Sequence, residues 1–192
     1  MTNMMKKLEA FFMKEFYEKS IMLVIFTLFL LIPNFDASVI FLLFFSISFL
    51  SADINNKKFS TLSALPYSYQ EIFVCSLTFT VVYSLLIKLI SGVVAGMSVS
   101  SIFINLLLPT FIFVIAYWSI SLISVQIGGD NLWIPLLIFF LDGVLSNILQ
   151  RGFNLFRLIS PTAQGNLYLS LLFSLSLMIL AFYLFTKRGV RK

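Results

Sequence analysis

DINNKKFSTLSALPYSYQE, residues 53–71, is a charged island between two apolar walls. Residues 37–52 before it and 72–87 after it carry no charge at all. Within the island, Phe59, Leu62 and Leu65 fall on one face of a short helix that Lys57 and Lys58 begin. Leu65-Pro66 ends it, because proline restricts the residue before it and has no N–H to donate. Ser68, Tyr69, Gln70 and Glu71 then read as a capping box, with Ser68 accepting from the Glu71 amide and Glu71 reaching back to Ser68. The pattern is apolar helix, polar segment over 53–69 with a short helix inside it, apolar helix.

Working outward, the composition says what those walls are. Of 192 residues, 60% are hydrophobic and 11% charged, and 23 are phenylalanine. That leaves too little polar surface for a water-soluble domain, and points to an integral membrane protein. The ten-residue alternation of an outer-membrane barrel is absent, so helices must satisfy the backbone in lipid. The expected fold is all-α, one transmembrane domain over 1–192, with no room for a soluble one.

Six spans are expected: 17–34, 37–52, 70–91, 102–126, one starting near Leu132, and 166–186. Pro33 and Asn34 turn the chain between the first two. Both are short against the roughly 20 residues a span needs, so they borrow flanking residues, thin the bilayer, or form a re-entrant hairpin. Pro109 reads as a local kink, and the run Gly128, Gly129, Asp130, Asn131 as a turn. Residues 4–16 place Met5, Leu8, Phe12 and Phe16 on one face, so 1–19 reads as an interfacial helix, or as a helical extension of the first span. Acidic residues interrupt this N-terminus and no small-residue cleavage site follows, so it is expected to be retained. Residues 148–165, with Leu149, Phe153, Phe156 and Ile159 at helical spacing, read as an external helical segment.

Charge placement orients the spans. Of 13 basic residues, Lys6, Lys7, Lys14 and Lys19 precede the first span, and Lys187, Arg188, Arg191 and Lys192 close the last. With Lys57 and Lys58, these fall inside if both termini are cytoplasmic, leaving Arg151 and Arg157 outside. Lys88 is expected to snorkel at the outer end of span three, and Trp118 and Trp133 to sit at the inner interface. Membrane orientation accounts for the basic tails without a nucleic-acid partner. The expected location is the cell membrane. Histidine is absent, and Cys75 has no cysteine to pair with.

The run LSALPYSYQEI resembles the cytoplasmic signature of ABC transporter permeases of the type-2 exporter family. The matching residues are Asp53, Leu65, Pro66, Ser68, Glu71 and Ile72. Lys58-Phe59 stands where that family often has glycine, and Tyr69 where it often has arginine. The whole layout is also similar, including Ser160-Pro161 ahead of the last span. The resemblance implies a permease subunit working with a second permease copy or a paralogous permease. No phosphate-cradling GxxxxGK[ST] occurs, so ATP and Mg²⁺ would sit on a separate nucleotide-binding ATPase subunit, and this chain would hold no cofactor. That subunit would dock on 54–67. Asp53, Lys57, Lys58, Phe59, Leu62, Leu65 and Pro66 would form the coupling segment, with Ser68 and Glu71 as the cap behind it. Hydrophobic or amphipathic peptides, antibiotics or drugs are the cargo such small permeases export.

Asp142 stands about ten residues into span five, where an acid costs on the order of 2.5–3.5 kcal/mol. It marks a translocation path or subunit interface, or else a bend beside Gly143 that lets it reach water. Gly92 to Gly96 reads as a glycine-rich turn in preference to a helix-packing motif. Ser170 and Ser174 read as packing contacts. No nucleophile–base pair or metal-ligand cluster is visible, so the chain itself is not expected to be an enzyme. Two other readings fit its size: a substrate-capture subunit of a vitamin importer, and a membrane assembly factor.

Overall fold

The computed structural model describes residues 2–56, 67–148 and 166–188, and these are all-helical, with no strand among them. The helices are α1 (Thr2–Glu18), α2 (Ser20–Leu30), α3 (Phe35–Ile47), α4 (Leu50–Asn55), α5 (Tyr69–Val94), α6 (Val99–Ile127), α7 (Trp133–Ile148) and α8 (Leu167–Arg188). Three of them, α5, α6 and α8, are long and apolar enough to cross a membrane, while α2, α3 and α7 are shorter apolar helices.

The short α2 is not an isolated element. Backbone bonds from Lys19 N to Glu15 O and from Leu23 N to Lys19 O carry the helical pattern from α1 into α2. Lys7 meets Glu71, Phe12 meets Phe79, and Phe16 meets Phe79 and Tyr83, so α1 runs beside α5 in the same direction. Glu71 to Tyr83 is roughly 18 Å of helix at 1.5 Å per residue. Lys19, at φ −117° and ψ 20°, interrupts the helical conformation between α1 and α2. Leu8 and Phe12 pack against the core and Phe16 meets α5 as their spacing suggests, but Met5 is 70% exposed, and Phe11 and Glu15 widen the buried face. Ion partners for Lys7 and Glu15 turn those charges inward and set the rotation of the helix.

The α2–α3 turn is fixed by Asn34, whose Oδ1 accepts from Asp36 N and Ala37 N. The expected second span is broken. α3 stops at Ile47, Phe49 takes φ −102° and ψ −118°, and α4 restarts at Leu50.

The core is built around α6, buried almost all round from Pro109 to Leu122. Its first turns are distorted as Pro109 requires: a π-helical turn over Phe103–Leu107 precedes the proline and takes up the missing donor. Trp118 is 1% exposed and meets Phe73 edge-on at 4.9 Å, so it is a core residue and not an interfacial anchor. Trp133 is exposed. Lys88 does not snorkel either. It is buried and donates to Ile32 O at 2.9 Å and to Ser38 Oγ, tying α5 to the α2–α3 turn.

Gly92 and Gly96 have separate tasks. A Cβ on Gly92 would lie 2.7 Å from Ile102 Cγ1, so glycine lets α5 and α6 approach closely. Gly96 turns the chain at φ +68°. At the other end of α6, Gly128 (φ +92°) ends the helix, and Asp130 Oδ1 accepts from Leu132 N and Trp133 N at the start of α7.

Candidate functional site: the helix break and its charge cluster

A helix broken inside a packed, apolar protein must find partners for the carbonyls it frees. At the α3–α4 break those partners come from three separate places. Ile47 O accepts from Ser51 Oγ (3.0 Å) and Asn131 Nδ2 (3.4 Å), and Ser48 O accepts from Lys19 Nζ (3.4 Å). Ser121 Oγ donates to Asn131 O (2.9 Å) and lies 2.7 Å from Ser51 Oγ, so the α6–α7 turn is held against the break. Asn55 also donates to Asn131 Oδ1 at 2.9 Å. Apart from Lys19, each of these groups is a short serine or asparagine side chain, which suits a network that must fill fixed positions.

Lys19 links the break to a cluster of charges. Its ammonium stands 3.0 Å from Asp53 Oδ2 and 3.0 Å from Glu15 Oε2, and it lies over the Phe49 ring at 4.9 Å. Lys14 pairs with Glu15 at 3.0 Å and with Glu18 at 3.2 Å. Three carboxylates against two ammonium groups leave the cluster with one excess negative charge. Burial pushes the Asp53 carboxyl above its ordinary range; Lys19 pulls it back down, and Glu15 adds to the rise. Burial lowers the proton affinity of Lys14, but Glu15 and Glu18 outweigh it, so its pKa lies above the usual lysine value. Beside the cluster opens a groove of about 810 Å³, with Lys19, Asp53 and Asn131 at its polar end and Ile25, Phe26 and Phe44 along its wall.

The other end of the polar island is equally well tied. Ser68 and Glu71 form a capping box at the start of α5, with Ser68 N donating to Glu71 Oε2 (2.8 Å) and Glu71 N to Ser68 Oγ (3.3 Å). Lys7 Nζ sits 2.8 and 2.9 Å from the two oxygens of the same carboxylate, and Tyr67 Oη donates to Lys7 O at 2.9 Å. Asp53 and Glu71, the two acids that flank residues 57–66, are thus both paired with lysines of the N-terminal arm: Lys19 and Lys7.

Of the residues singled out in the sequence, Asp53 is buried in the ion pair and presents little surface for a partner to touch. Lys57, Lys58, Phe59, Leu62, Leu65 and Pro66 lie outside the described residues, as do residues 149–165 of the external segment. Asp142 lies within α7 and is 1% exposed, so it does not reach water. Ser170 and Ser174 bond carbonyls of their own helix surroundings, Asn166 O and Leu171 O. Lys19 and Asn131 were read only as an orienting charge and a turn residue, and Glu15, Ser51 and Ser121 were not singled out in the sequence. Only the Glu15–Lys19 spacing of four residues hinted at them.

No family model matches the chain, and neither a curated protein nor a solved structure does.

Proposed function

We propose that the protein is a multi-pass membrane permease subunit, moved by a separate ATPase subunit that binds the stretch between α4 and α5. The observation that supports this reading most is the tethering of both flanks of residues 57–66 to one arm, through Lys19–Asp53 and Lys7–Glu71. A push on that stretch reaches α1–α2 through two ion pairs and α5 through its capped first turn. It reaches the α3–α4 break directly. On this reading Asp53 anchors the coupling segment from within, and Lys57, Lys58, Phe59 and Leu62 meet the ATPase.

The chain then crosses six times with both termini cytoplasmic, residues 17–34 making the first crossing and 37–52, broken at Phe49, the second. Two permease copies, or this chain and a paralogous one, enclose the pathway. ATP and Mg²⁺ act on the partner. The cargo is a hydrophobic or amphipathic peptide, antibiotic or drug-like compound moving outward, as the groove's apolar wall and charged end suit.

The test is co-purification from membranes. A soluble ATPase should come down in equal amount with the wild-type chain and be lost with Phe59→Asp or Leu62→Asp. A chain that purifies alone and binds a small vitamin tightly would instead be a capture subunit, and the proposal would fall.

A further inference from the structure

Asp142 is buried although its neighbours on α7 are not: Phe140, Leu141 and Val144 are 56%, 44% and 53% exposed. Phe139, three residues earlier on the same face, meets Phe113 at 6.2 Å and Tyr117 at 6.0 Å, both edge-on, so this face of α7 packs on α6. Among the described residues neither carboxyl oxygen of Asp142 has a hydrogen-bond partner, and neither does the Tyr117 hydroxyl. No ion pair joins Asp142 to a charged side chain among the described residues, and the titratable group of α6 on the face packed against α7 is Tyr117. A carboxylate in apolar surroundings with no cation and no donor is not sustained; the group takes a proton instead.

We infer that Asp142 is a proton-binding site within the membrane domain, its carboxyl protonated while the α6–α7 seam is closed and able to release that proton only when the seam opens. Two consequences follow from the chemistry. The protonated acid reacts with an apolar carbodiimide that reaches it from lipid, and a water-soluble carbodiimide does not reach it. Ionising it in the closed seam strands a charge, so proton release and seam opening are one event. The inference rests on α7 lying in the bilayer, and it does not need an ATPase partner.

The experiment uses the purified full-length chain in lipid nanodiscs. Infrared spectroscopy at neutral pH should show the C=O stretch of a protonated carboxylic acid, and that band should vanish in Asp142→Asn. On the wild type alone, mass spectrometry should place the adduct of dicyclohexylcarbodiimide on Asp142, with no adduct there from a water-soluble carbodiimide. This second arm holds even if the variant does not assemble. An unchanged acid band in Asp142→Asn, or equal labelling by both reagents, would overturn the inference. So would a carboxylate signal from Asp142 that disappears in Arg151→Gln or Arg157→Gln, which would make the acid an arginine's counter-ion. Absence of a co-purifying ATPase would sink the permease reading and leave both measurements as they stand.

Discussion

Lys19 and Asp53, separated by 34 residues, meet at 3.0 Å beside a break in the helix that carries Asp53. The pair is asymmetric. Asp53 has Lys19 as its partner, whereas Lys19 also holds Glu15 and the Ser48 carbonyl. Removing the lysine leaves two buried carboxylates with Lys14 as the remaining cation, a stranded-charge situation that costs about 3–5 kcal/mol. Removing the aspartate's charge leaves Lys19 still paired. Lys19→Gln is therefore expected to lower thermal stability in detergent strongly, and Asp53→Asn only slightly. Equal losses would show that the pair acts alone and that Glu15 contributes nothing.

The same geometry sets a pH dependence. Burial holds the folded Asp53 pKa above the unfolded one, against the pull of Lys19. Its stabilising contribution is fully present below the unfolded pKa and is lost as pH rises through the folded pKa. Wild-type stability should thus decline with pH across that window more than that of Asp53→Asn. Thermal melts of both proteins over an acidic-to-neutral series check the sign. A steeper decline in the variant would contradict it.

Turn and cap chemistry was legible in the sequence because it is local. Ser68 with Glu71 and Gly128 with Asp130 act within a few residues of one another. The α3–α4 break was not. No proline or glycine lies between Asp36 and Asn55, and Ser48 and Phe49 fit an unbroken apolar helix. What makes the break tolerable lies elsewhere, in Lys19 and Asn131. The buried face of α1 is wider than its apolar spacing shows for a related reason. Hydrophobic periodicity assigns charges outward by default, and here Lys7 and Glu15 face inward because partners on α5 and at Lys19 await them. Lys88 repeats the lesson, with a carbonyl in a distant turn as its reason for being buried.

The Ser68 cap should be measurable separately from the ion pair beside it. Ser68→Ala removes the acceptor for Glu71 N and is expected to cost about 1 kcal/mol, a usual value for an N-cap. Ser68→Thr keeps the hydroxyl and should recover most of that. Hydrogen exchange of the first-turn amides of α5 reads the difference. Equal protection in all three proteins would mean that the Lys7–Glu71 pair fixes this helix start unaided.

Gly92 makes a steric prediction. Alanine raises helix propensity by about 1 kcal/mol, yet its Cβ would stand 2.7 Å from Ile102 Cγ1 and 3.1 Å from Leu106 Cδ1. Overpacking of this kind costs about 1–3 kcal/mol, so Gly92→Ala should come out neutral to destabilising, and Gly92→Val clearly worse. A stabilised Gly92→Ala in a thermal melt would show that α5 and α6 separate there without penalty.

Lys88 supplies the last test, of a charge that works by holding a turn. Its ammonium donates to Ile32 O, a carbonyl at the end of α2, and to Ser38 Oγ in the first turns of α3. Lys88→Met keeps the stem's volume and removes the donors, leaving the part-buried Ile32 carbonyl without this bond, a loss worth about 1–3 kcal/mol. Ser38→Ala leaves that bond in place and should cost less. Lys88→Ala should cost most, because it adds a cavity to the lost bond. The order Ala, Met, then Ser38→Ala in melting temperature, lowest first, is the expected result. Faster hydrogen exchange at the amides of residues 34–38 should accompany the two lysine variants. If Lys88→Met is instead more stable than wild type, the cost of burying the ammonium exceeds what its two acceptors return. Lys88 would then be retained for something other than stability.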